Sequence, residues 1–137
     1  MLSTSPPPAA RVALVHVADP RVRWSVAAAQ VVRILPAAEW HTALIDVLAA
    51  LGAAPAADPQ SRRVMIVRGA GDRELAMLAA GAIDIAEVDP ADVLALPDTF
   101  ARTAPQISAI VTFADHSLSL LLQPTAVRPP DDLVFGE

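Results

Sequence analysis

Residues 11–36 and 63–88 carry the same pattern twice. Sliding the chain by 52 positions aligns Arg11 with Arg63, Val12 with Val64, Val15 with Val67, Ala18 with Ala70 and Arg21 with Arg73, then Ala27 and Ala28 with Ala79 and Ala80. That is seven identities in 26 pairs, with strand, turn and strand falling at matching places in both copies. Such a restart predicts two similar β lobes.

In the first copy "RVALVHV" is β-branched and apolar, and the "ADPR" after it is turn chemistry, because Pro20 fixes φ and removes a donor. "VRWSVAA" then alternates Val22, Trp24 and Val26 against Arg23 and Ser25, the period of a half-buried strand. "AQVVRILP" is a third apolar run ended by Pro36, and the three together predict a meander. In the second copy "RRVMIVRG" is a strand and "AGD" a hairpin turn. "RELAMLAAG" is read as the second strand although propensity alone allows helix over Arg73–Ala80. "AIDIAEVD" follows, with Ile83, Ile85 and Val88 as its apolar face.

Between the copies stands "HTALIDVLAALG", which alone reads as an amphipathic helix exposing His41 and Asp46. In the two-lobe frame it becomes a short strand followed by one helical turn, with Asp46 as cap or turn residue and Gly52 as the C-cap. "AAPAADPQSR" holds two prolines and no period, so it is a loop. After the second copy, Asp89 is placed to cap a helical turn before Pro97, and "ISAIVTF–ADHS–LSLLLQ" is a hairpin. Residues 1–10 are expected to be a flexible lead-in, 11–127 one domain (lobes mainly 11–52 and 62–122), and 128–137 a mobile acidic tail. The sum is an all-β chain with little helix.

Composition narrows the function. The chain has 137 residues, 54% of them apolar, and a mean hydropathy of +0.45, which suits one domain with a real core. No apolar stretch reaches the 18 residues of a membrane helix, and "MLSTSPPPAA" lacks the cationic start and apolar run of a signal peptide, so a cytoplasmic location is expected. A net charge of −5 with scattered arginines argues against nucleic acid. The absence of cysteine removes thiolate metal sites and cysteine nucleophiles.

The search for chemistry finds no site. His16 reads as a satisfied or edge strand residue and His116, beside Asp115, as a turn residue. No two histidines share metal-ligand spacing, no serine stands in a nucleophile elbow, and "RGAGDRE" lacks the third glycine and the lysine of a phosphate loop. Asp84, Glu87 and Asp89 read as a solvated face. No cofactor and no metal are expected. A globular domain of this kind works by binding.

The ordered set of pieces resembles the CheW-like domain, the adaptor fold of bacterial chemotaxis arrays and the regulatory domain of the histidine kinase CheA. The likeness covers about residues 11–127: "ALVHVADPRVRWSVAAAQVVRIL" for the opening strands with Val31 and Ile34 in a paired V-x-x-[VI] segment, "TALIDVLAALG" for the family's "vlPviDLrrlLG", "RRVMIVRGAGDRELAMLAAGAIDIAEVDPADVLALP" for its second-lobe run, and "ISAIVTFADHSLSLLL" for its final hairpin. The resemblance implies two SH3-like five-stranded β-barrel lobes around a hydrophobic seam. It also implies a non-enzymatic scaffold that binds a methyl-accepting chemoreceptor's cytoplasmic tip, a CheA-type histidine kinase, or both. Partner contacts are expected at Val31 and Ile34 in the first lobe and Ile83 and Ile85 in the second. Two departures stand out. Only "PAAEWHTA" separates Leu35 from Leu44 where the family has a longer segment associated with receptor and kinase contacts, and Ala80 stands where an Asp often precedes the glycine. The alternatives are a receptor-specific modulator without a kinase surface, a self-associating module, and an enzyme or ligand binder using His41, Asp46 or Asp115.

Overall fold

The structure is a computed structural model and describes residues 11–40, 44–56 and 62–127. Its strands are β1 (Val12–Ala18), β2 (Trp24–Ala27), β3 (Val31–Pro36), β4 (Arg63–Arg68), β5 (Glu74–Ala79), β6 (Ala82–Val88), β7 (Val93–Ala95), β8 (Ile107–Thr112) and β9 (Leu118–Leu122). Two short helices, α1 (Val47–Ala50) and α2 (Asp98–Thr103), and several single 3-10 turns complete it. The all-β expectation holds. "RELAMLAAG" is strand, "AGD" is its hairpin turn, and the final hairpin is β8–β9. Asp89 precedes a 3-10 turn at Pro90–Asp92 but makes no side-chain cap to it.

The strands form a larger sheet in the order β6-β1-β2-β9-β8-β7 and a smaller one in the order β3-β4-β5. Ile45 adds to the β5 side of the smaller sheet through a parallel bridge to Met77, donating its N–H to Ala76 O and accepting from Leu78 N, each at 2.9 Å. β1 pairs with its own hairpin partner β2 and also with β6, from Val12 opposite Val88 to Ala18 opposite Ala82. β4 pairs with its partner β5 and also with β3. Each repeat therefore lends its third strand to the other.

This corrects two expectations. β1, β2 and β3 are not a meander, because β2 continues instead into a parallel pairing with β9. The sheets also interleave along the chain rather than dividing at the 53–62 loop. The local cause is the 3-10 turn Ala28–Gln30, which directs the chain out of the first sheet before β3 begins. A bulge in β3 between Val31 and Arg33 marks the adjustment of its register on β4.

β1 is apolar except for His16, because it carries buried side chains on both faces. Val15 and Val17 face the core between the sheets, with Trp24, Val26, Met65, Val67, Met77 and Leu122. Leu14, of the opposite parity, packs with Val88 and Val111 and against Val12, Val93, Phe113 and Leu121. Those residues come from strands at both ends of the larger sheet, so that sheet curls on itself. Each fully buried aliphatic side chain contributes about 1.5–3 kcal/mol, and Leu14, Val17, Val26, Val64, Met65, Val67, Met77 and Val111 are all sealed from solvent.

One close approach holds the β5–β6 connection against the end of β1. A Cβ on Gly81 would overlap the Ala18 carbonyl and press on Asp19 N. Gly81→Ala is therefore expected to cost more than about 2 kcal/mol, since neighbouring backbone cannot yield as a side chain can. Urea denaturation measures it, and an unchanged midpoint would remove this reading of Gly81.

Candidate functional site

The stretch from Leu44 to Gly52 is organised by a carboxylate. Asp46 precedes α1 in an extended conformation, and its Oδ1 accepts from Ala49 N at 3.3 Å as an N-cap. Gly52 closes the turn at φ 105, the left-handed value expected of a C-cap glycine. His41, Thr42 and Ala43 lie outside the described residues. Asp46 Oδ2 accepts from Ala56 N at 3.1 Å and from Arg21 Nη1 at 2.8 Å. Arg21 also donates Nε and Nη2 to Asp19, at 3.0 and 2.8 Å, and Nη1 to Ala54 O at 2.9 Å. One guanidinium thus clasps the β1–β2 turn to the start of α1 and to the loop beyond it. The Asp46 considered as a catalytic acid is a cap and clasp residue.

Asp19 is buried, which pushes its carboxyl up, but hydrogen bonds from the Arg21 side chain and backbone outweigh this, aided by the Arg21 charge and the Trp24 side chain, and hold it below the ordinary carboxylate value. A depressed carboxyl contributes stability above its unfolded value and loses it as the pH falls through the folded one. Arg21→Ala leaves Asp19 buried without its partner, at an expected cost of about 3 kcal/mol at neutral pH. The variant is also expected to show less of the acid-induced loss below about pH 4. Chemical denaturation from pH 7 to pH 3 tests both, and equal stability at pH 7 would count against the clasp.

A second polar group crosses the larger sheet. His16 on β1, Ser25 on β2 and Ser119 on β9 meet side by side: His16 Nδ1 lies 3.1 Å from Ser25 Oγ and 3.3 Å from Ser119 Oγ, and the hydroxyls are 2.7 Å apart. The imidazole stacks edge-on against Phe113, with centroids 4.8 Å apart. Sequence reading takes His16 as a satisfied or edge residue and sets Ser25 on the polar side of a half-buried strand, whereas Ser25 is buried on β2; it missed Ser119, 94 residues further along the chain. The only available signal was that each interrupts an apolar run. Ser25 and Ser119 are sealed from solvent, so they are positioned to tie three strands rather than to attack a substrate. His16 also borders an open cavity of about 580 Å³, together with Arg23, Asp84, Phe113 and Asp115. His116, considered beside Asp115, sits at φ 67 in the β8–β9 turn, where Asp115 accepts from Ser117.

Burial, and then the charge of Arg23, hold the His16 imidazole below its ordinary value against the opposing pull of Asp84 and Asp115. The folded protein therefore resists a proton that the unfolded chain accepts. Stability is full above about pH 6.5 and falls as the pH drops below it toward the folded value. His16→Gln is expected to flatten the fall in stability below about pH 6.5, as read by denaturation midpoints. A slope that survives the substitution would place its origin elsewhere.

The four residues expected to meet partners divide by orientation. Val31 and Ile83 are half-buried and pack against the core between the sheets. Ile34 on β3 and Ile85 on β6 are exposed, at 36% and 78%. They lie on different sheets, so the structure does not gather the four into one patch. Sequence reading missed Leu94 and Leu118, both exposed: Leu94 ends the cross-strand row Leu94–Ile110–Leu120 on β7, β8 and β9, and Leu118 lies two residues before Leu120 on β9. Their alternation was visible, but nothing in it says which face of a strand meets water.

Two sheets built by strand exchange, sealed polar groups and exposed aliphatics on the strands define an all-β module with the makings of a binding protein. Residues 8–128 match the sequence profile of the CheW-like domain, and the chain belongs to that family. Among solved structures it is similar to the scaffolding protein TtCheW from Thermoanaerobacter tengcongensis, at 10% identity with a TM-score of 0.68, over 83% of this chain and 90% of that one. Comparison with curated proteins gives no match. No helix of the described residues is long and apolar enough to cross a membrane.

Proposed function

We propose that this chain is a non-enzymatic scaffold of a bacterial chemosensory system, binding the cytoplasmic tip of a methyl-accepting chemoreceptor, a CheA-type histidine kinase, or both. The observation that carries the reading is the match to the CheW-like domain over residues 8–128, nearly the whole chain. The similar fold of TtCheW, itself described as a scaffolding protein, supports it. Such a protein acts in the cytoplasm, where receptor tips and kinase lie.

Contacts fall to the outward residues. Ile34 and its neighbour Val32 are exposed on β3, an edge strand whose apolar side chains suit a docking face. Ile85 presents a second surface on the other sheet, while Val31 and Ile83 support the two strands from beneath. A narrower reading, a modulator that engages the receptor alone, is favoured by the short run between β3 and Leu44, where the family resemblance implies a longer segment.

Pull-downs run separately with receptor tips and with the kinase regulatory domain test both. Wild type is expected to retain at least one partner, and Ile34→Glu to weaken that capture at least tenfold without loss of fold. Capture of neither partner by wild type removes the adaptor reading, and capture of the receptor alone selects the narrower one.

A further inference from the structure

β6 ends the larger sheet: it is hydrogen-bonded to β1 on one side and to no described strand on the other. The other edges are blunted. β3 has a bulge, carries Arg33 at its middle and ends in Pro36. β5 is covered by Ile45. β7 has three residues and is soon followed by Pro97. Bulges, charged side chains, proline, cover and shortness are the devices that keep strand edges from pairing, and of these β6 has only the carboxylates of Asp84 and Glu87. β6 has seven residues, no proline, no basic residue and an unbroken register on β1. The large apolar side chain at its centre, Ile85, is the most exposed large hydrophobic residue among those described.

We propose that β6 pairs antiparallel with β6 of a second copy of this chain, about a two-fold axis through Ile85. The charges on the strand select this register. With Ile85 opposite Ile85, Asp84 faces Ala86, Glu87 faces Ile83 and Ala82 faces Val88, so all seven residues pair and no carboxylates stand directly opposite. A two-fold axis perpendicular to the sheet allows shifts only in steps that keep each face continuous. The neighbouring shift one way sets Asp84 against Asp84, and the shift that centres Glu87 sets it against itself. The shift centred on Ala86 loses two pairs and places Ile85 against Glu87. The favoured register brings the two Ile85 side chains into contact and satisfies the free backbone groups of both edges, joining two six-stranded sheets into one. The contact is isologous and closes at two copies. It takes up the Ile85 surface that the adaptor reading offers to a partner, leaving Ile34 on β3 for that role, and its test measures mass and cross-linking rather than receptor or kinase capture.

Sedimentation equilibrium of the full chain over a range of concentrations is expected to give a species of twice 14.3 kDa. Ile85→Lys is expected to raise the dissociation constant at least tenfold with an unchanged circular dichroism spectrum. Because the chain has no cysteine, single cysteines report the register. Ile85→Cys places two thiols on the axis, at the Cα separation of about 5 Å that a disulfide needs, and is expected to give a covalent dimer on oxidation. Ile83→Cys, which faces Glu87 of the second copy, is not. A monomer at every concentration, an assembly indifferent to Ile85→Lys, or equal cross-linking at positions 83 and 85 overturns the proposal.

Discussion

The pairing of β6 with β1 and of β3 with β4 is the constraint on which the rest of the molecule depends. Neither repeat can complete its own sheet. β1 needs a strand that arrives 64 residues after its last residue, and β4 takes a strand that precedes it by the whole Ala37–Arg62 connection. The core between the sheets reflects this, since Val15, Val17 and Trp24 from the first repeat touch Met65, Val67 and Met77 from the second. Long-range pairing of this kind is slow to form, because loop closure precedes the contacts that reward it. Once formed, it makes the two sheets mutually dependent, so that loss of one third strand exposes an edge in the partner repeat's sheet.

The exchange also decides where surfaces lie. By lending out its third strand, each repeat places that strand at the rim of a sheet: β3 at the edge of the smaller, β6 at the edge of the larger. Ile34 and Ile85 are exposed for this shared reason. Polar groups then fix the joints. The Arg21 guanidinium holds the β1–β2 turn to α1 through two carboxylates, and the His16–Ser25–Ser119 group ties three adjacent strands, β1, β2 and β9, of the larger sheet. In both, buried polar atoms find partners, as burial demands, and so specify geometry.

Much of this was legible in the residues, and what was not has a physical reason. Strand positions followed from period-2 alternation and β-branching, and the 52-residue restart placed β1, β2 and β3 opposite β4, β5 and β6 in order. The restart even overrode helix propensity at Arg73–Ala80, where packing into the core makes a strand of "ELAMLA". Partnering was not legible. Nothing in "VVRILP" says that it leaves β2 for β4, because both choices bury the same apolar atoms and a single 3-10 turn decides between them. The meeting of the serines at positions 25 and 119 was missed for the same reason, since it depends on β2 lying parallel to β9. Orientation was only half legible: alternation separated Ile83 from its neighbours, but Ile85, of the same parity, is exposed because it overhangs the edge of the core.

The two rim strands occupy equivalent places and are finished differently. β3 carries a bulge, an arginine and a terminal proline, all of which resist addition of another strand, so what it offers for the proposed docking is its exposed side chains rather than its backbone. β6 carries none of these and offers both backbone and Ile85. Its two carboxylates do not blunt the edge uniformly: they penalise most ways of adding a strand and leave one symmetric register free of like charges face to face. In the proposed reading a duplicated fold separates two kinds of recognition on matching strands: one through side chains laid across a closed edge, the other through an open edge whose charges admit a narrow choice of partner.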